Sequence, residues 1–407
     1  MLKKLHHPLA IVFLTLLLDK LGENIVYPLL PFILEAYNPD ALTMGLVAST
    51  ATLFGVVTGP MLGGLSDSIG RRPVILTCIG LNMISLLMFG WAGSLAFVFI
   101  SRAVNGVATS TTGTLQAYIT DISNPGNRAR NLGISGAAFG LGAIAGPALG
   151  GGLVGFGHSV PLFVAAGLAG YNLLTASFFL RETLTPELRQ PLQLKKTLNL
   201  LKPVLRLITA PTINRVALGF AAYNLSFAAF TSLLVLSLKD LFNWSPGQTS
   251  GIFVVIGITL TAVQVALIGK LVRRWGEYDV NRSGMALTAG SILLIPLALK
   301  LPLLAATLIV ASGLLLAVGA AFVLPTARSL VSGLASTSEQ GVILGSLASL
   351  TGIASAIGPI AAGWIYDQSP VGCFVFEAGF ALLGMLLVGR TPATISPATI
   401  SAVDSAP

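Results

Sequence analysis

The stretch that decides how this chain folds is Gly133-Ile134-Ser135-Gly136-Ala137-Ala138-Phe139-Gly140-Leu141-Gly142-Ala143-Ile144-Ala145-Gly146-Pro147-Ala148-Leu149-Gly150-Gly151. In water a Gly-Pro pair ends a helix, because proline lacks the N–H and clashes with the preceding turn. Inside a bilayer, neighbouring helices close around such a kink. Glycines at Gly142, Gly146 and Gly150 bare one helical face, so a second helix can approach closely and rock against it. A thinner copy returns 212 residues later at Gly345, Gly358, Pro359 and Gly363.

The surrounding composition sets the environment. The chain has 407 residues, 54% of them hydrophobic and 9% charged, with a mean hydropathy of +0.86. That is too little polar surface for a water-soluble globule. About 20 apolar residues cross a bilayer as a helix, and twelve such stretches are legible: 9–34, 44–64, 74–93, 95–120, 131–154, 161–181, 213–237, 248–269, 284–299, 303–325, 342–366 and 372–389. A β-barrel needs segments of ~10 residues alternating in polarity, which these unbroken runs exclude. The expectation is an all-α membrane protein of twelve transmembrane helices in two pseudo-symmetric six-helix halves. Residues 1–181 form the first half, 182–212 a cytoplasmic linker, 213–390 the second half and 391–407 a disordered cytoplasmic tail.

With both termini in the cytoplasm, Lys239 and Lys300 alone fall outside, Lys20 and Arg102 lie within spans, and every other Lys and Arg faces inward. This is the bias of the positive-inside rule, so the formal charge of +8 reads as topology and contact with anionic lipid. No basic cluster carries the interleaved aromatics of a nucleic-acid surface. Lys3-Lys4 before an apolar run imitates a signal peptide, but the run continues through Asp19 and Glu23 with no small-x-small site, so it reads as an uncleaved first span. Cys78 and Cys373 lie in spans of opposite halves and read as packing residues. His6, His7 and His158 have no metal-ligand spacing. In the linker, Thr185-Pro186-Glu187 reads as a helix start, and Leu194, Leu198, Leu201 and Leu205 line one face suited to the inner leaflet.

The loop after the second span, Gly63-Gly64-Leu65-Ser66-Asp67-Ser68-Ile69-Gly70-Arg71-Arg72-Pro73, is echoed 206 residues later by Gly269-Lys270-Leu271-Val272-Arg273-Arg274-Trp275-Gly276-Glu277. Six spans plus six with echoes in corresponding places indicate an internal duplication. Proteins built this way hold substrate near the midplane between halves.

On these residues the chain resembles the major facilitator superfamily over about residues 9–390. Gly63 to Arg72 is similar to its loop signature, departing at Ser68, and Arg102-Ala103-Val104-Asn105-Gly106 to its fourth-span signature. Leu21-Gly22 through Pro28-Leu29-Leu30-Pro31, together with Gly133 through Gly151, resembles the twelve-span drug/proton antiporters. Phe242-x-Trp244, Gln264, Trp275-Gly276-Glu277 and Gln340-Gly341 through Gly345-Ser346-Leu347 resemble tetracycline/proton antiporters. Those exporters carry acids in their third and ninth spans, where this chain has Ser85 and Thr288. Tetracycline itself is therefore not expected as the substrate.

Asp19 and Glu23 share one helical face in the middle of the first span, where an isolated carboxylate is costly. Two readings stand: proton coupling or substrate contact, and static neutralisation by Lys20 or Arg102. The resemblance implies that Arg102 acts as a fixed charge beside the acids; the alternative is an interhelical anchor. Glu377, in the last span, reads as a further buried acid, placed near the outer end where reaching water is the alternative. Gly63, Asp67, Gly70, Arg71, Arg72 and Asp121 are expected at a cytoplasmic gate. There Asp67 would face the N-terminal end of the eleventh helix near Gly341 and Arg71 would pair with Asp121. A static loop clamp is the alternative. Arg273 replaces Asp67 in the echo, so the second half cannot form the same latch. Gly133, Gly142, Gly146, Pro147, Gly150, Gly151, Gly358 and Pro359 are expected to form hinges, or simply close packing. Asn24, Gln116, Tyr118, Tyr223, Asn224, Phe227 and Gln264 are candidate substrate-facing groups, suited to amphipathic organic molecules.

Walker, paired-histidine and nucleophile-elbow patterns are missing, so no enzyme and no cofactor are expected. The sequence points to export of lipophilic, drug-like compounds in exchange for protons. The alternative is a proton-coupled importer or facilitator of a small metabolite such as a sugar or organic acid. The expected partners are a small-molecule substrate, protons and membrane lipids. The setting is a monomer in a cell membrane, the bacterial inner or plasma membrane.

Overall fold

The computed structural model describes residues 8–124, 126–191, 201–210, 213–334 and 340–389. The helices are α1 (Pro8–Val26), α2 (Leu30–Leu34), α3 (Ala41–Ile69), α4 (Arg71–Gly90), α5 (Leu95–Ala108), α6 (Thr111–Asp121), α7 (Arg128–Leu153), α8 (Val160–Phe179), α9 (Leu201–Thr209), α10 (Asn214–Phe242), α11 (Pro246–Ala266), α12 (Ile268–Lys300), α13 (Ala305–Gly333), α14 (Gln340–Gln368) and α15 (Pro370–Val388). Ten helices are by themselves long and apolar enough to cross a membrane. The two remaining spans are composite. The first is α1 continued through a 3-10 turn at Tyr27–Leu29 into α2, and the fourth is α5 and α6, broken at Thr109 and Ser110. Twelve spans result.

Local chemistry explains where these helices start and stop. Ser94, Ser245 and Ser369 cap α5, α11 and α15 with side-chain oxygens, and Ser245 closes a capping box with Gln248. Pro60, Pro147, Pro296, Pro325 and Pro359 all sit inside helices, as a lipid-embedded bundle tolerates. The duplication shows in the backbone. Left-handed Asn38 and Asn243 terminate the first and seventh spans, and Gly70 (φ +113°) and Gly276 (φ +80°) break the chain after the second and eighth. Helix α12 therefore contains the end of the eighth span and, from Glu277, the whole ninth, which begins earlier than residue 284. In the linker, the expected helix start yields a single 3-10 turn, Pro186–Leu188. Leu194, Leu198 and the tail 391–407 lie outside the described residues.

The glycine stretch sets the packing. Substituting a Cβ at Gly142 or Gly146 would bring it 2.8 Å from Lys20 Cβ or 2.6 Å from Asn24 Cβ, so α7 lies directly on α1. The other side of α7 meets α11: the carbonyl of Ala143 lies 2.9 Å from where Gly257 would carry a Cβ, and Gly151 approaches Ser250. Helix α14 repeats this arrangement, with Gly358 against Leu225 of α10 and Gly363 against Ala41 of α3. Each half thus offers one small-residue helix wedged between its own first span and the opposite half. Gly133 and Gly136 meet open space.

Candidate functional site

A cavity of about 670 Å³ lies between the halves, walled mainly by spans one to four and closed across by Ser232, Gly345, Ala348 and Ser349. It extends to Gly63, at the end of the bundle where Arg71, Arg72, Arg273 and Arg274 gather; we term this the basic end. At the opposite end the halves are sealed. Asp367 accepts from the backbone N–H of Ala41 at 2.8 Å and of Leu42 at 3.0 Å, Lys239 pairs with Glu35 at 3.2 Å, and Tyr27 lies 3.3 Å from Ser232 Oγ.

Three charged residues of α1 form a cluster at the cavity, and Glu23 is the one of them on its wall. Lys20 Nζ donates to Glu23 Oε2 at 2.5 Å and lies 3.9 Å from Asp19 Oδ2. Asp19 and Lys20 are buried, whereas the Glu23 side chain is 46% exposed and faces the cavity. Lys20 also lies 4.9 Å from the Phe139 ring of α7. Behind Asp19 runs a chain of polar groups from α4 and α5. Asn82 Nδ2 donates to Asp19 at 3.3 Å, Asn105 Nδ2 donates to Asn82 Oδ1 at 3.0 Å, and Ser85 accepts from Asn105 at 3.4 Å. Because Asn82 gives its amide to a carboxylate and its carbonyl to an amide, the network fixes which way it points. Buried polar groups satisfied in series hold one geometry.

Arg102 faces this cluster from α5, stacked 4.8 Å over the Phe89 ring, and lines the cavity. Its Nε is buried and has no hydrogen-bond partner among the described residues.

At the basic end, Arg71 gathers Asp67 (2.5 Å), Asp121 (3.1 Å) and Ser66 (2.7 Å), and Arg72 donates to the carbonyl of Ser177. Glu182, which the sequence did not single out, accepts from the N–H groups of Arg71 at 2.9 Å and Arg72 at 3.0 Å, capping α4. Gly70 leads into that cap with φ +113°, and a Cβ there would run into the Glu182 carboxylate. Partial burial raises the Glu182 proton affinity. The amides of Leu184, Arg71, Arg72 and Thr183 outweigh this and hold it below the ordinary carboxylate range. Asp67 points to Arg71 here, and a Cβ added at Gly341 would meet none of the described residues within 4 Å.

The seven expected substrate-facing residues lie off this cavity wall. Tyr118 and Tyr223 are buried in apolar clusters, Tyr223 stacked between Phe220 and Phe227. Asn24 and Asn224 turn back to the carbonyls of Lys20 and Phe220. Gln116 is exposed, Gln264 half-buried, and neither is among the lining residues. Glu377 is fully buried against Cys373 and does not reach water. A polar side chain in a span satisfies itself on its own helix as readily as it faces a cavity, which spacing alone does not distinguish. Asn82 and Asn105 take the place of these residues on the wall. Asn82 was findable as the one carboxamide in the 74–93 run.

A cavity with few polar groups, set between the two halves of a twelve-helix membrane bundle and closed at one end, defines a membrane transporter of small molecules rather than an enzyme. The chain belongs to the Major Facilitator Superfamily, whose family model matches residues 12–310. It is 31% identical to the tetracycline resistance protein, class G, of Vibrio anguillarum, over 86% of this chain and 88% of that one. It is 27% identical to multidrug resistance protein 2 of Bacillus subtilis (strain 168), over 91% and 92%. Among solved structures, the crystal structure of the human organic anion transporter MFSD10 (TETRAN) matches with a TM-score of 0.72 at 27% identity, covering 94% of this chain and 98% of that one.

Proposed function

We propose that this protein exports lipophilic organic compounds in exchange for protons by alternating access. The observation that carries this reading is the Asp19–Lys20–Glu23 cluster, with a half-exposed acid on the cavity wall and a buried acid behind it sharing one ammonium. A proton arriving on Glu23 breaks its pair with Lys20 and leaves Lys20 to Asp19 alone. Because α7 packs on Lys20 and Asn24 through Gly142 and Gly146, a change of charge on α1 bears directly on the helix that touches the other half. We assign the basic end to the cytoplasm on the positive-inside rule, which makes the cavity inward-facing, the side from which an exporter loads. Asp19, Glu23 and Arg102 then serve coupling. Gly63, Asp67, Gly70, Arg71, Arg72 and Asp121 serve the inner gate, and Gly142, Gly146, Pro147, Gly358 and Pro359 the hinges. The similarity to tetracycline and multidrug resistance proteins supports the direction and the class of cargo.

One observation favours a second reading. Arg102 places a guanidinium on a mostly apolar wall, with no acidic partner within salt-bridge distance among the described residues, which suits an amphipathic organic anion, and one similar protein is an organic anion transporter. The test is proton release from acidified inside-out proteoliposomes, followed with a pH-sensitive dye as lipophilic cations, neutral drugs, organic anions and sugars are added in turn. Efflux evoked by a lipophilic compound and lost in Asp19→Asn, Glu23→Gln protein supports exchange. No proton response, with labelled sugar or organic acid still crossing, moves the protein to the importer or facilitator class.

A further inference from the structure

Helices α3 and α14 are each 29 residues long and run antiparallel across the seam between the halves. Ala41 meets Gly363, Gly45 meets Pro359, and Val56 meets Gly352. Their sequences share a pattern at an offset of 300 residues: Gly45 and Gly345, Ala48 and Ala348, Ser49 and Ser349, Gly63 and Gly363, Asp67 and Asp367. Each helix therefore carries an aspartate near its C-terminal end, and the antiparallel register puts each aspartate at the end of the pair where the other helix begins.

At the sealed end that contact is made. The first helical N–H groups of α3 have no partner within the helix, and two carboxylates from opposite sides take them. Asp40, the residue just before α3, accepts from Thr43 N–H at 2.8 Å. Asp367, 326 residues away, accepts from Ala41 and Leu42. The pair Glu35–Lys239 braces the neighbouring seam at the same end. At the basic end the corresponding contact is open among the described residues: Asp67 is held by Arg71, and a Cβ added at Gly341 in the first turn of α14 would meet none of them within 4 Å.

We propose that Asp367 is the positioning residue of the gate opposite the basic end, acting as the counterpart of Asp67 in a reciprocal pair of helix-cap latches. The Asp367 cap on α3 holds the present state, and the Asp67 cap on α14 holds the state open at the other end. Two rigid helices crossing once between their ends cannot have both ends in contact while a cavity lies between them, so making one cap breaks the other. The proposal rests on alternating access but not on any substrate or on protons.

The test is a pair of spin-label distances in nanodiscs, Thr43→Cys with Gln368→Cys for the sealed end and Ile69→Cys with Val342→Cys for the basic end. Cys78 and Cys373 are buried. The unaltered latch is measured first, and two distance populations at each end establish exchange. In D367A the long-distance population at the sealed end should rise by about tenfold, the scale of a lost helix cap, with a matching rise of the short-distance population at the basic end. D367N, which keeps one acceptor oxygen, should show the same change at smaller amplitude, and it carries the test if D367A fails to reach the membrane. Adding Asp67→Asn should return both ends toward the unaltered ratio. Loosening at the sealed end with no closure at the basic end would make Asp367 a structural cap only and overturn the proposal. Unaltered populations in both variants would overturn it as well. A single population at each end before any substitution at Asp367 would overturn alternating access, and the latch with it.

Discussion

Lys20 and Glu23, one helical turn apart on α1, form a 2.5 Å ion pair at the cavity wall while the same ammonium lies 3.9 Å from Asp19. One cation thus serves two acids of different exposure. Removing a single partner of a buried pair leaves an uncompensated charge, at a cost of about 3 to 5 kcal/mol. Lys20→Met should therefore lower the thermal stability of the purified protein and abolish substrate-evoked proton flux. Lys20→Met combined with Asp19→Asn should recover the stability but not the flux. Recovery of both would mean that the cluster is a static charge pair.

Gly146 and Gly133 belong to one glycine stretch but differ in surroundings. A Cβ on Gly146 would lie 2.6 Å from Asn24 Cβ and 2.9 Å from the Asn24 carbonyl carbon, whereas none at Gly133 meets anything within 4 Å. Overpacking of this kind costs about 1 to 3 kcal/mol. Gly146→Ala should lower the melting temperature and slow transport at least several-fold, and Gly133→Ala should leave both close to those of the unaltered protein. Melting in detergent and flux in proteoliposomes measure the two effects.

The four amides gathered by Glu182 give the basic end a pH signature. A carboxyl held below its unfolded value stabilises the fold above that unfolded value, and this contribution is lost as pH falls through the folded one. Glu182→Gln should cost about 1 kcal/mol near neutral pH, a modest figure because the group is solvent-exposed. The gap in melting temperature between Glu182→Gln and the unaltered protein should narrow below about pH 4. A gap that stays constant as the pH falls from about 5 to about 2 would show that shape, not charge, makes the cap.

Arg102, stacked on Phe89 with its Nε unpartnered, separates the two cargo readings. Arg102→Gln should reduce transport of organic anions by roughly tenfold or more if the guanidinium binds them, while transport of lipophilic cations persists. Equal loss for both cargoes would assign Arg102 to the coupling cluster with Glu23. Uptake assays with one labelled anion and one labelled cation decide between these outcomes.

The sequence by itself determined the twelve spans, the duplicated halves and the family, because hydrophobic length, glycine spacing and loop motifs are local properties written along the chain. It also placed Asp19 and Glu23 within one span and Arg71 near Asp121. Only the tertiary structure decided which face of α7 meets α1 and which meets α11, since Gly142 and Gly140 look alike until their neighbours are known. Tyr118 and Tyr223 went to apolar clusters and Asn82 and Asn105 to the cavity. A buried polar group goes where its hydrogen bonds are met, and those partners come from other helices. Asp367 shows this most plainly: its ligands are two backbone amides 326 and 325 residues earlier in the chain. An unpaired helix end attracts a carboxylate from any distance in sequence, so only the packed bundle decides which one arrives.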